Sequence, residues 1–152
     1  MNTIQIIAFT HRQFNFDEIG LFHLDDKQRI DVLTNLKTNL DIDELMYLST
    51  CNRVEFIVSH EKKITKTFVE KLIKQLLADQ LPVNLKDIVH RAEIINSKAA
   101  VQHIFSVASS IDSLVVGERE IITQVRKAFE ECRENNLCGD VIRVLVQSTI
   151  ST

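Results

Sequence analysis

The hydrophobic period of this chain changes once along its length, and that change limits what it can fold into. Before Asn96, short apolar runs of strand length alternate with amphipathic stretches; after it, only helical spacing remains. Ile4 to Phe9 is apolar and β-branched and reads as a first strand. Asp25 and Asp26 can cap a helix whose apolar positions Ile30, Leu33, Leu36 and Leu40 keep helical spacing. Leu45 to Leu48 reads as a second strand. Val54, Phe56 and Val58 alternate with Glu55 and Ser59, which predicts a half-exposed third strand. Ile64, Phe68, Val69, Leu72, Ile73, Leu76 and Leu77 fall on one helical face, and Ile88 to Ile95 supplies a fourth strand.

The order β-α-β-β-α-β predicts the α+β class, with a ferredoxin-like split βαβ unit: a four-stranded antiparallel sheet and two helices on one face. A helical subdomain follows it. Ala100, Ile104, Val107, Ala108 and Ile111 form one stripe, and Gly117 breaks it. Ile121, Ile122, Val125, Ala128, Phe129 and Cys132 form a second, opened by acidic Glu118 and Glu120, which suits the helix dipole. Gly139 breaks again, and Val141, Ile142 and Leu145 begin a third helix that is cut off in mid-pattern, as in a piece of a longer protein. The expected units are residues 1–95 for the sheet and 96–152 for the helices.

With 152 residues, 45% apolar and 26% charged, the chain has globular composition and is not disordered. No apolar run approaches the ~20 residues of a bilayer span. The N-terminus has neither a basic n-region nor a small-residue cleavage site. Three sparse cysteines do not look like a disulfide framework, so the expected compartment is the reducing cytoplasm. A net charge of −3 excludes a generally cationic nucleic-acid binder and leaves room for a local basic patch. Neither CxxC nor HExxH occurs and the five histidines lack ligand spacing, so no metal site is expected.

Ser49 to Arg53 is too polar for a core position between two strands and reads as a hairpin loop. Its Cys51 stands two residues before Arg53. A nearby cation lowers a thiol's pKa and raises the fraction of thiolate, the nucleophilic form. Thr50 and Asn52 offer hydrogen bonds to an acyl substrate or to the loop itself. The alternative for Cys51 is a small buried hydrophobe, the common fate of free cysteine. His103, on the flank of its helix's stripe, is either a proton donor or orienter reaching the sheet or a satisfied core histidine. Asp112, Ser113, Gly117, Glu118 and Glu120 make a polar loop before a helix start, fit for a ligand's polar groups or for plain capping. Lys62, Lys63, Lys66, Lys71 and Lys74 form a cationic ridge that suits either phosphates or solvent.

Two segments tie these residues together. Ser-Thr-Cys-Asn-Arg-Val-Glu at 49–55, then His-Ile-Phe-Ser-Val-Ala-Ser-Ser-Ile-Asp-Ser-Leu-Val-Val-Gly-Glu at 103–118 and Ile-Ile-Thr-Gln-Val at 121–125, resemble glutamyl-tRNA reductase over essentially the whole chain. The resemblance implies an oxidoreductase of tetrapyrrole (porphyrin) biosynthesis. A cysteine thiolate attacks the ester carbonyl of glutamyl-tRNA, and NADPH reduces the resulting thioester to glutamate-1-semialdehyde. It implies Cys51 as the nucleophile, His103 as an activity-linked histidine, and Arg53 as a fork for the substrate's side-chain carboxylate. Thr50, Asn52, Ser113, Glu118 and Gln124 fall on polar substrate contacts, and His11 on the family's N-terminal signature.

The match has departures. The signature that usually continues Asn-His-Lys-Thr-Ala-Pro is here Thr10-His11-Arg12-Gln13-Phe14-Asn15, and Gly-Glu-Pro-Gln is here Gly117-Glu118-Arg119-Glu120. Arg119 and Glu120 keep their place in the substrate-binding set with altered chemistry; a carboxylate there repels the substrate's carboxylate unless it faces an amine. No GxGxxG follows a strand, so no dinucleotide site of the Rossmann kind is expected in this chain. The resemblance places the NADPH-binding and dimerisation domains outside it, makes the chain the N-terminal catalytic domain of a homodimer, and names the aminomutase that takes up glutamate-1-semialdehyde as a partner. The competing expectation is a module that binds tRNA or the glutamyl group without chemistry.

Overall fold

Antiparallel pairing joins four strands in the order β2-β3-β1-β4: β1 (Thr3–Thr10), β2 (Glu44–Thr50), β3 (Arg53–His60) and β4 (Glu93–Asn96). This is the strand order of the expected split βαβ unit. The structure is a computed structural model that describes residues 3–108 and 120–151. Its helices are α1 (Phe16–Gly20), α2 (Arg29–Asn39), α3 (Lys66–Leu77), α4 (Leu85–Arg91), α5 (Ser97–Ala108), α6 (Glu120–Glu134) and α7 (Asp140–Ser151).

Register assigns side chains to faces, because residues directly opposite one another point the same way. Phe9, Ile7, Val54, Phe56, Val58 and Tyr47 share one face. There Phe9 stacks on Phe22 at 3.9 Å between ring centroids, and Phe56 meets Tyr47 at 5.3 Å. Such aromatic pairs are worth about 0.5–1.5 kcal/mol beyond their burial. Tyr47 also donates to the carbonyl of Phe22 at 2.8 Å and accepts from the Leu24 N–H, so its hydroxyl is buried with both roles filled. His60 against Phe68 brings α3 to this same face.

Two expectations are corrected. The third strand is not half-exposed: every residue of β3 is buried, Glu55 and Ser59 included. The reason is a second helical layer, with α5 against β1 and β4 and α7 against β2 and β3, which covers the face that alternation alone assigned to water. The fourth strand does not start at Ile88. Residues 85–91 form α4, and the charges that sit badly in a strand make an Arg91–Asp87 pair one helical turn apart, 2.8 Å. Short α1 has no periodic signature, but Asn15 and Glu18 close a capping box around it.

Open ends and edges are closed by polar groups. The free edge of β2 meets α6 and the segment after it, where Leu45 N–H donates to the Leu137 carbonyl at 2.7 Å. The buried Glu44 carboxylate accepts from the N–H groups of Gly139, Val141 and Ile142, and so caps α7 from the sheet. Lys66 donates to the carbonyls of Val89, His90 and Ala92 and closes the C-terminus of α4. This draws Lys66 out of the cationic ridge that suited either phosphates or solvent, and burial pushes its pKa down.

Arg91 fastens α4 to the chain after β1. It donates to the Gln13 carbonyl at 2.9 Å, pairs with Glu18 at 2.5 Å, and lies over the Phe14 ring at 4.6 Å. The Arg91 bond, with the Asn15 N–H, lowers the Glu18 carboxyl from its ordinary 4.5 to about 2. A carboxyl depressed in the folded state stabilises fully above its unfolded value and less as it is protonated. We expect the Glu18 contribution to be complete above pH 4.5 and to disappear as the pH falls through about 2. Acid titrations of stability on wild type and Glu18→Gln should converge at low pH; a difference that persists unchanged below pH 2 contradicts the assignment.

Candidate functional site

The hairpin between β2 and β3 is tighter than its polarity suggests. Thr50 pairs directly with Arg53, so only Cys51 and Asn52 make the turn. The expectation of a loop too polar for the core is corrected: Thr50, Asn52 and Arg53 are 5%, 2% and 1% exposed. The turn is tied locally. The Thr50 hydroxyl donates to Asn52 Oδ1 at 3.0 Å, and the Asn52 carbonyl accepts from the His11 N–H at 3.1 Å. Of the two turn residues, Cys51 is the exposed one.

Behind this tip lies a chain of charge. Arg53 Nη1 meets Glu55 Oε2 at 2.7 Å, and Glu55 Oε1 meets His103 Nε2 at 2.6 Å. Arg53 and Glu55 are successive residues on one face of β3, while His103 reaches down from α5. A carboxylate at 0% exposure is costly unless neutralised and hydrogen-bonded, and this one uses each oxygen on a different partner. Glu55 is the member of this group that sequence reasoning misses. Its signal is a charge inside a strand between apolar neighbours, but alternation reads it as solvent-facing.

The other expected site residues are distributed around this centre. His11 lies one residue past β1, with Nδ1 buried and without a partner among the described residues; the same holds for Asn52 Nδ2. Gln124, on α6, lines a cleft of about 230 Å³ with Arg29, Tyr47, Ser49, Lys127 and Glu131, at the edge of β2. Its Oε1 is likewise buried and unpaired among the described residues. Arg29 and Glu131 form a two-point ion pair at 2.6 Å that joins α2 to α6 across this cleft. Ser113, Glu118 and Arg119 lie outside the described residues, and Glu120 is described only as the first residue of α6. Among the described residues no group of His, Cys, Asp or Glu could hold a metal ion, and no helix is long and apolar enough to cross a membrane.

The cysteines differ sharply in setting. Cys132 is buried on α6 and donates to the Leu45 carbonyl at 3.0 Å, and burial pushes its thiol well above the ordinary range. Burial raises Cys138 too. A thiol must be accessible and ionised to be alkylated. Iodoacetamide should therefore modify Cys51 in the folded protein and reach Cys132 only on unfolding, as peptide mapping would record; equal rates at both sites would contradict this.

The family model "Glutamyl-tRNAGlu reductase, N-terminal domain" matches residues 7–152. Glutamyl-tRNA reductase of a Nitratiruptor species is 37% identical over 137 residues, covering 88% of this chain and 31% of the relative. That of Campylobacter concisus is 34% identical over 145 residues, 92% of this chain and 32% of the relative. The solved structure of glutamyl-tRNA reductase from Methanopyrus kandleri superposes with a TM-score of 0.76 at 22% identity, over 99% of this chain and 33% of that one, and so shares the fold. The chain spans about a third of the length of these relatives. With the family model covering nearly all of it and the four-stranded sheet in place, the chain belongs to the glutamyl-tRNA reductase N-terminal domain family.

Proposed function

We propose that this chain performs the acyl-transfer step of a glutamyl-tRNA reductase. The observation that carries the reading is the position of Cys51: an exposed thiol at a two-residue turn, backed by a buried arginine, carboxylate and imidazole. The thiol gives up its proton, the sulfur bonds to the ester carbonyl carbon of glutamyl-tRNA, and the bond to the terminal ribose oxygen breaks. That oxygen takes a proton, leaving a glutamyl thioester on Cys51 and free tRNA.

In this reading residues 1–95 supply the nucleophile and the Arg53 cation, while residues 96–152 supply His103 and the polar contacts. Arg53 is 1% exposed, so its bond to the glutamyl side-chain carboxylate requires local opening of the hairpin end. Thr50 and Asn52 hold the turn, and the Asn52 Nδ2, buried and unpartnered among the described residues, is a donor suited to a substrate oxygen. Gln124 offers an acceptor from the β2-edge cleft. Ser113, Glu118, Arg119 and Glu120 complete the binding set, with the acidic pair suited to the substrate's amino group.

Reduction of the thioester belongs to NADPH, which supplies hydride when bound. The residues present do not fit that cofactor. The chain's glycines, at 20, 117 and 139, lie too far apart in sequence to form the GxGxxG pattern of a pyrophosphate turn. No reductive step is assigned to them. Hydride transfer, dimerisation and hand-over of glutamate-1-semialdehyde to an aminomutase, in the cytoplasm, are proposed for a longer protein of the relatives' length.

A second reading has an observation in its favour: with Thr50, Asn52 and Arg53 buried, the chain can bind its substrate without attacking it. Incubation with glutamyl-tRNA carrying labelled glutamate separates the two. Acyl transfer predicts label on the protein that hydroxylamine releases and Cys51→Ser abolishes. Salt-dependent tRNA binding with an unlabelled protein supports the binding module instead.

A further inference from the structure

We infer that Glu55 is the positioning residue of this site: it sets which nitrogen of His103 carries the proton and, with its other oxygen, holds the Arg53 guanidinium. Glu55 is fully buried on β3, with Ala8 of β1 opposite it, beneath α5. The Arg53 guanidinium, 2.7 Å from this fully buried carboxyl, cannot give up its proton and supplies the countercharge that a buried carboxylate needs. An ionised carboxylate only accepts. The contact between Glu55 Oε1 and His103 Nε2, 2.6 Å, is therefore an N–H donated by the imidazole. In the neutral ring the proton sits on Nε2, and Nδ1 is the nitrogen with the basic lone pair.

One side chain thus couples the two elements that bring the site together. The i, i+2 spacing of Arg53 and Glu55 on a strand puts both on one face, and α5 delivers His103 to the same carboxylate. The two oxygens are divided between the two partners, so neither contact can be rotated without loss of the other. The carboxylate thereby orients the imidazole with Nε2 toward the sheet.

The consequence for rate rests on the acyl-transfer reading; the tautomer does not. Glutamine at position 55 is nearly isosteric, but its amide has one acceptor and one donor. With its oxygen kept by Arg53, its NH2 faces His103 Nε2, which must then accept, and the imidazole proton moves to Nδ1. Nitrogen-15 spectra of the 152-residue chain with labelled histidine should show the Nε2–H form of His103 in the wild type and the Nδ1–H form in Glu55→Gln. Acylation of Cys51 by glutamyl-tRNA should fall by about 100-fold or more in Glu55→Gln, the loss expected of a mis-set general acid-base group, and recover in part in Glu55→Asp. Iodoacetamide alkylation of Cys51 in Glu55→Gln should continue, since the thiol stays exposed.

The Nδ1–H form in the wild type overturns the inference without any variant, so failure of Glu55→Gln to fold does not protect it. Wild-type tautomer and wild-type acylation in a folded Glu55→Gln protein overturn it too. A wild type that takes no label at all defeats the acyl-transfer reading instead, and the wild-type spectrum still decides the role of Glu55.

Discussion

A carboxylate with no exposed surface sits on a central strand of this sheet, and the docking of α5 over that strand is tied to keeping it satisfied. Glu55 would cost several kcal/mol if it were buried alone. Its stability in place depends on Arg53 from its own strand and His103 from α5. The pairing explains why a helix carrying a histidine on the flank of its apolar stripe docks where it does. Ala100, Ile104 and Val107 bury the body of α5, and His103 fixes its position over the charge. An apolar residue at 55 would pack there without demanding a partner, and the helix would lose that constraint.

The same logic recurs at lower cost around the periphery. Residues that look like surface charges in sequence serve as caps and ties. Glu44 closes the start of α7, Lys66 the end of α4, Arg29 joins α2 to Glu131 on α6, and Arg91 holds the loop after β1. That last contact bears on the site, because the loop includes His11, whose N–H supports the Asn52 carbonyl inside the Cys51 turn. Gln5 does comparable work at the far end of the sheet, where it donates to the Lys62 carbonyl at 2.8 Å and accepts from the Ile64 N–H at 2.7 Å. The backbone entering α3 is thereby paired with β1 without joining the sheet.

The contrast between two cysteines shows how tertiary setting divides chemistry among identical side chains. Cys132 is a small apolar filler whose S–H finds a carbonyl on the edge of β2. Cys51 stands at the tip of a hairpin in which direct pairing of Thr50 with Arg53 leaves two residues to reverse the chain, and of these Asn52 is buried and Cys51 exposed. The polar neighbours of Cys51 turn inward, so the turn exposes its sulfur and hides its amide and hydroxyl groups.

Sequence alone determined the order of the central strands with the two long helices α2 and α3 between them, and the strong α3 stripe, since these rest on local period and on residues whose preference is unambiguous. It also singled out Cys51, Arg53 and His103, by motif rather than by geometry. What it could not reach was anything that depends on which faces meet. Alternation placed Glu55 and Ser59 in solvent because a strand's period is blind to a layer that returns from far along the chain. Ile88 reads as the start of a strand because the adjacent apolar pair Ile88-Val89, a few residues before Ile94-Ile95, fits either period. The exposure of Cys51, the burial of its neighbours and the carboxylate shared by Arg53 and His103 were decided by packing: β3 covered on both faces leaves its charges no solvent, only one another.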